Sequence, residues 1–189
     1  MFLSVRFLIK LYNLLFEYIR GLVLFITIII CGGKCRSIPR VHKNFIFKYP
    51  AHKGISIGKK CFFGPNILIE VPVYAKLSIG DNVSFASNIV ISSDNSISIG
   101  SNCLVAEFVS IRDAEHNYLR DDFIKNQSLI SEAVVIESDV WIGRSSCVLL
   151  GSRITTGCII GANSLVKRKT TTPFTIYVGV PAKEISKRV

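Results

Sequence analysis

The sequence predicts an all-β solenoid built from hexapeptides, and three observations carry that expectation. Ile136, Ile142, Val148, Ile154, Ile160 and Val166 recur at intervals of six residues. Neither an amphipathic helix nor a simple alternating strand repeats every six residues, whereas a prism of short strands and tight corners does. Four positions after most of these residues stands another small or aliphatic one, at Val140, Ser146, Ser152, Cys158 and Ser164. The aliphatic residue is expected to fill the interior, and the small one to let the backbone fold round a corner. The same beat runs upstream in triplets: Ile57, Phe63 and Ile69, then Ile79, Phe85 and Ile91, then Ile99, Val105 and Ile111.

Each triplet makes one triangular coil. Gly58, Gly80 and Gly100 follow the first members, and the coils start 22 and 20 residues apart, so corner insertions lengthen the basic eighteen. Between Ile99 and Ile136 the gap is 37 residues, one coil plus an insertion of 19. That insertion runs from about 114 to 132, and a long excursion from a regular solenoid is more often functional than decorative. The regular domain is expected over 36–169.

Residues 1–35 are of different material. They read "MFLSVRFLIKLYNLLFEYIRGLVLFITIIICGGKC", mostly apolar but interrupted by Arg6, Lys10, Glu17 and Arg20 before Lys34 at its end. The longest uncharged run, Gly21 to Gly33, falls short of the roughly twenty apolar residues of a spanning helix. No signal-peptide cleavage site is evident before Gly32. The segment therefore reads as one or two helices that lie on a membrane surface or cap the first coil.

Composition narrows the partners. The 189 residues suit one domain with an appendage, and a net charge of +10 favours anionic partners such as a membrane surface, an acidic sugar or a phosphorylated cofactor. Nucleic acid is disfavoured, because the aromatic residues sit mainly in apolar runs rather than between basic residues on a recognisable binding module. Of the six cysteines, Cys61, Cys103 and Cys158 occupy small-residue slots and read as buried thiols in a reducing compartment. Cys31 and Cys35 lack a second pair at zinc-finger spacing, so no metal site is expected. His42 and His52 precede the regular triplets and read as surface or capping residues.

"SIGSNCLVAEFVSIRDAEHN" resembles the segment of the maltose and galactoside acetyltransferases that carries their catalytic histidine, without gaps from Ile99 to His116. "DVWIGRSSCVLLGSRITTGCIIGANSLVKR", followed by "VGVPAK", is similar to the acyl-coenzyme A binding end of the same hexapeptide-repeat acyltransferases. The resemblance covers residues 55–187. It implies a left-handed parallel β-helix with a C-terminal strand and short helix over 170–189, and a homotrimer with acetyl-CoA in the groove between neighbouring prisms. It makes His116 the general base, a role for which histidine is suited because it titrates nearest neutrality. Asp113 and Glu115, which flank it, are candidates to orient the imidazole, and Asn88 is a candidate substrate contact one coil earlier.

For the cofactor, the resemblance implies that Trp141 packs on the pantetheine arm. Ser145 and the backbone near Gly143 and Ala162 would offer hydrogen bonds, and Arg168 and Lys183 would face the phosphates. Two departures from the family are visible: Val180 stands where these enzymes carry asparagine, and the tail carries one extra residue within Thr170–Thr172. The expected activity is O-acetylation of a sugar hydroxyl in a surface-polysaccharide precursor, capsule or O-antigen, by a cytoplasmic enzyme peripheral on the inner face of the membrane. The acceptor would be a sugar or lipid-linked glycan. N-acetylation of an amino sugar uses the same groove, and a non-catalytic structural β-helix shares the fold. The zinc hydratase of this fold needs three histidines per site, and this chain has only His42, His52 and His116.

Overall fold

The structure, a computed structural model, describes residues 2–189. It is a β-solenoid whose three parallel faces are each crossed once per coil. Face one stacks Lys34–Cys35, Ile55–Ile57, Lys76–Ile79, Ser96–Ile99, Val134–Ile136 and Arg153–Ile154. Face two stacks Arg40–Val41, Phe62–Phe63, Ser84–Phe85, Leu104–Val105, Trp141–Ile142, Ile159–Ile160 and Thr175–Val178, and ends on the antiparallel strand Lys183–Lys187. Face three stacks Phe45–Phe47, Ile67–Glu70, Ile89–Ser92, Ser110–Arg112, Cys147–Val148 and Leu165–Val166.

The hexapeptide period is the register of this stack. Ile57, Ile79, Ile99, Ile136 and Ile154 pair in succession up face one, and Phe63, Phe85, Val105, Ile142 and Ile160 do so up face two. All are buried. The corner slots hold Val140, Ser146, Ser152, Cys158 and Ser164, buried as their small size predicts. The pairing of Ile99 with Ile136 shows that 19 residues leave the solenoid between them. They form a hairpin, Ala114–His116 against Leu129–Ser131, closed by a 3-10 turn at Ile124–Asn126. Cys61 and Cys103 are free thiols whose pKa values burial pushes up.

Three features differ from the expectations. A further coil precedes Ile57, formed by Cys35, Val41 and Phe47, which pair with Ile57, Phe63 and Ile69. The C-terminal residues expected to be helical form the strand Lys183–Lys187 instead, which satisfies the open backbone edge of Thr175–Val178. His52 is not a surface residue. It is buried at the corner before Ile55, where one ring nitrogen lies 3.1 Å from the Val71 carbonyl and the other accepts from the Gly54 N–H.

The N-terminal segment is one helix, α1 (Phe2–Ile30), about 43 Å long at 1.5 Å per residue. The stretch Val5–Ile30 has a mean hydropathy of 1.9 and is long and apolar enough to cross a membrane by length and composition, contrary to the argument from its uncharged run. Its later half caps the first coil. Leu24 and Ile28 are buried, Glu17 accepts from Arg40 at 2.7 Å, and Arg20 donates to the Val41 carbonyl. Only glycine fits at position 21, since a Cβ there would stand 1.8 Å from the Pro39 carbonyl oxygen. The other faces of α1 expose Phe7, Leu11, Leu15, Ile19, Val23 and Ile30 to solvent.

Candidate active site

Insertions concentrate at one edge of the prism. Ile57 follows Phe47 by ten residues, Ile79 follows Ile69 by ten, Ile99 follows Ile91 by eight and Ile136 follows Ile111 by 25, where a bare corner needs six. All four excesses fall between faces three and one. Together they wall a cleft of about 360 Å³ that holds Lys48, Tyr49, Glu70, Tyr74, Asp94, Arg112 and His116.

His116 ends the first strand of the hairpin, paired with Leu129, and its side chain is exposed in this cleft. Its ring makes no side-chain hydrogen bond among the described residues, so both nitrogens can meet a substrate. The two flanking carboxylates do not orient it, contrary to expectation. Asp113 is fully buried and accepts from the Ser93 hydroxyl at 2.7 Å and from the Asp94 and Asn95 N–H groups at 2.6 and 3.0 Å. It shapes the corner one coil below. Glu115, which also borders the cleft, is taken up by Lys167 and accepts from it at 2.6 Å, tying the insertion to the last coil.

The rest of the wall is charged and aromatic. Glu70 lies 2.9 Å from Lys48 and 3.9 Å from Arg112. Burial alone would raise its pKa, but hydrogen bonds from Lys48 and Ser92 and the two cationic charges outweigh that and hold the carboxyl below its ordinary range. The Tyr74 hydroxyl donates to Asp94 at 2.7 Å, and this bond, with the nearby negative charge, raises the phenol's pKa. These residues went unpredicted, yet the coil spacings signalled them: the surplus over eighteen residues sits at the same corner in each coil.

Asn88 does not border this cleft. It lies on the corner between faces two and three, in a left-handed conformation (φ 57°) that asparagine tolerates, and it continues a ladder in which Asn44 donates to Asn66 and Asn66 to Asn88, each at 2.9 Å. The same corner leaves Phe108 exposed higher up.

The predicted cofactor residues divide between places. Trp141, half exposed on face two, lines a second cleft of about 360 Å³ with Ala106, Glu107, Gly143, Arg144 and Ala162. Gly143 lies so close to the next coil that a Cβ would meet the Ala162 nitrogen at 2.7 Å. The Gly143 and Ser145 N–H groups are spent on the Ile160 and Glu107 carbonyls, so Ser145 can donate only through its hydroxyl; the Ala162 N–H has no acceptor among the described residues. Arg168 is not at this cleft. It stands at the corner of His116 and donates to Glu132 at 2.8 Å. Lys183 begins the last strand, exposed and without an ion pair among the described residues.

The turn that lacks the family asparagine is held by other groups. The Gly179 N–H donates to the Ser164 hydroxyl, the Leu165 N–H to the Gly179 carbonyl and the Ala182 N–H to the Leu165 carbonyl, while Val180 points to solvent beside a cis Val180–Pro181 bond. Among the described residues no group of His, Cys, Asp and Glu is placed to hold a metal ion.

In a triangular prism, the edge between faces three and one is opposite face two. One chain therefore keeps His116 and Trp141 on opposite sides of its core.

No protein-family model matches the chain. Over 105 residues, 51% of this chain and 53% of the relative, it is 38% identical to a putative lipopolysaccharide-biosynthesis O-acetyl transferase of Escherichia coli. A hexapeptide-repeat-containing acetyltransferase of Vibrio cholerae, solved with acetyl coenzyme A, superposes with a TM-score of 0.64 at 28% identity, over 71% of this chain and 70% of that one. An N-acyltransferase from Bacillus cereus, solved with dTDP and 3-hydroxybutyryl-CoA, gives a TM-score of 0.72 at 19% identity, over 85% of both chains, and shares the fold. The chain spans a third to a half of the length of the curated relatives it matches first.

Proposed function

We propose that this chain, a relative of the hexapeptide-repeat acetyltransferases in sequence and in fold, transfers an acetyl group from acetyl-CoA to a sugar hydroxyl of a surface-polysaccharide precursor. The observation that carries the reading is His116: an imidazole free of intramolecular hydrogen bonds, delivered by a 19-residue insertion into a cleft of aromatic and charged side chains. The relatives named above supply the acyl donor, and the similarity to a lipopolysaccharide O-acetyl transferase supplies the acceptor class.

In the proposed reaction His116 takes the acceptor hydroxyl proton as the oxygen attacks the thioester carbon. The new C–O bond forms, the tetrahedral oxyanion collapses with cleavage of the C–S bond, and the imidazolium returns its proton to the departing thiolate. A backbone N–H would hold the oxyanion, and the unpartnered Ala162 N–H is a candidate donor. No serine or cysteine nucleophile is required, because the thioester is already activated.

The opposition of His116 and Trp141 supports a homotrimer in which the histidine edge of one chain faces face two of its neighbour. Leu104, Phe108 and Trp141 are exposed on and beside that face, where a seam would bury them. Lys183 would supply positive charge for the coenzyme A phosphates, and Arg168, held by Glu132, would do so only after exchanging partners.

The outward apolar faces of α1 and the basic charge of the chain support a peripheral location on the inner face of the cytoplasmic membrane. Phe7→Asp with Leu11→Asp, both at solvent-exposed positions, is expected to abolish flotation of the full chain with anionic vesicles. Unchanged flotation refutes this placement.

Mass spectrometry after incubation with acetyl-CoA and a panel of soluble and lipid-linked glycans tests the function itself. The reading expects the mass gain of one acetyl, removed by mild alkali as an ester is. An alkali-stable adduct assigns N-acetylation, and no coenzyme A binding at all returns the chain to a structural role.

A further inference from the structure

The cap formed by α1 is incomplete. The helix packs over Lys34–Cys35 and Arg40–Val41, the first strands of faces one and two. Between the helix and the open end of the prism runs a trough of about 330 Å³, within the range of small-molecule pockets, about 300–1,000 Å³. Ile19, Val23 and Thr27 form the helix wall, and Val41, Phe45 and Phe47 the solenoid wall. Phe45 is the end of an aromatic column: its ring meets Phe63 edge-on at 5.2 Å, and Phe63 stacks on Phe85 at 5.1 Å. The column thus ends in the trough instead of being sealed over.

We propose that the trough binds the hydrocarbon chain of the acceptor's lipid carrier, so that the true acceptor is an isoprenoid-like phosphate-linked glycan. This rests on the sugar acetyltransferase reading above and specifies its substrate class.

Three observations select this occupant. The trough is mostly apolar: its polar residues are Arg20, Asn44 and Thr27, and the Thr27 hydroxyl is spent on the Val23 carbonyl of its own helix. Arg20 spends its Nε on the Val41 carbonyl, which leaves its terminal nitrogens for an anionic group. The trough is also open to the side that would meet a bilayer, since Ile19 and Val23 belong both to its wall and to the exposed apolar surface of α1. A chain can pass from lipid into it without crossing water.

The third observation is continuity with the cleft of His116. Phe47 walls the trough, and the next two residues, Lys48 and Tyr49, line the cleft. Phe47, Ile69, Ile91 and Ile111 pair in succession up face three, so the backbones at Lys48 and Arg112 are three coil steps apart, about 14 Å at the inter-strand spacing, while their charged ends reach toward each other. That distance suits a phosphate-linked sugar laid along the edge, its hydroxyl at His116 and its tail under α1. Lys48 and Arg112 share the single carboxylate of Glu70, so positive charge remains on the path where the phosphate would lie.

The test is photolabelling of the full chain with a benzophenone-bearing farnesyl pyrophosphate, with mass-spectrometric mapping of the adducts. Labels are expected in peptides spanning residues 19–27 and 41–47, displaced by farnesyl pyrophosphate and not by inorganic pyrophosphate. Thr27→Trp and Val23→Trp, at exposed helix positions that leave the core untouched, are expected to fill the trough and cut labelling at least fivefold. Labels scattered along α1 and indifferent to either variant overturn the proposal. So does equal labelling of the trough by a photoactivatable phosphatidylcholine in vesicles that farnesyl pyrophosphate does not displace, which would make the occupant a bilayer lipid. Because the readout is binding, it is independent of acetyl transfer: failure here with active transfer to soluble sugars removes the lipid-linked acceptor alone.

Discussion

His116→Ala is expected to lower kcat by about a hundredfold to ten-thousandfold, the usual contribution of a general base, with the affinity for acetyl-CoA and the assembly unchanged. The imidazole has no partner within the chain among the described residues and lies exposed in the cleft, so its removal disturbs no packing. Steady-state kinetics with isothermal titration of acetyl-CoA separates the two quantities. Near-normal turnover would remove His116 from the reaction.

Asp113→Ala is expected to act on stability first. The carboxylate is fully buried and satisfies three donors, one of them the hydroxyl of the buried Ser93. Each donor left without a partner costs about 1–3 kcal/mol, and a loss of roughly 3–5 kcal/mol is expected by denaturant titration. The Ser93–Asn95 corner carries Asp94, which accepts from the Tyr74 hydroxyl at the mouth of the cleft. Asp113 is thus a positioning residue for the acceptor wall. The milder Asp113→Asn is expected to raise KM for the acceptor severalfold and to leave the pH profile of kcat unchanged. A fall of kcat by several orders of magnitude with stability retained would instead make Asp113 the partner of the imidazole.

The part of the fold that repeats was legible because its cause is local. A buried position every six residues fixes face, register and coil, and the 37-residue gap located the hairpin to within a residue or two. The first coil obeys the same rule at Cys35, Val41 and Phe47 and was passed over, since its neighbours Phe45 and Tyr49 and the adjoining apolar helix blur the beat. The tail was misjudged for a different reason. Residues 183–187 alternate no better than they wind, and the exposed edge of Thr175–Val178 decides their state.

The site was legible for His116 and Trp141 and obscure for residues whose role depends on the edge they occupy. All three edges share one period, so sequence spacing alone does not tell that Arg168 lies beside Glu132, or that Asn88 belongs to an asparagine ladder on another corner. Asp113 and Glu115 are neighbours of the histidine in sequence, but their carboxylates are taken by other partners, the corner N–H groups for Asp113 and Lys167 for Glu115. Lys48, Glu70 and Arg112 meet only because three separate coils stack.

One chain's His116 is expected to work against its neighbour's Trp141. The direct measurement is to unfold and refold together equal amounts of His116→Ala and Trp141→Ala chains and to assay transfer at limiting acetyl-CoA. If the two residues come from different subunits, random trimers restore about a quarter of the sites with both side chains intact, and activity rises well above the sum of the separate variants. If activity stays at that sum, each site is built within a single chain and His116 does not work across a subunit seam.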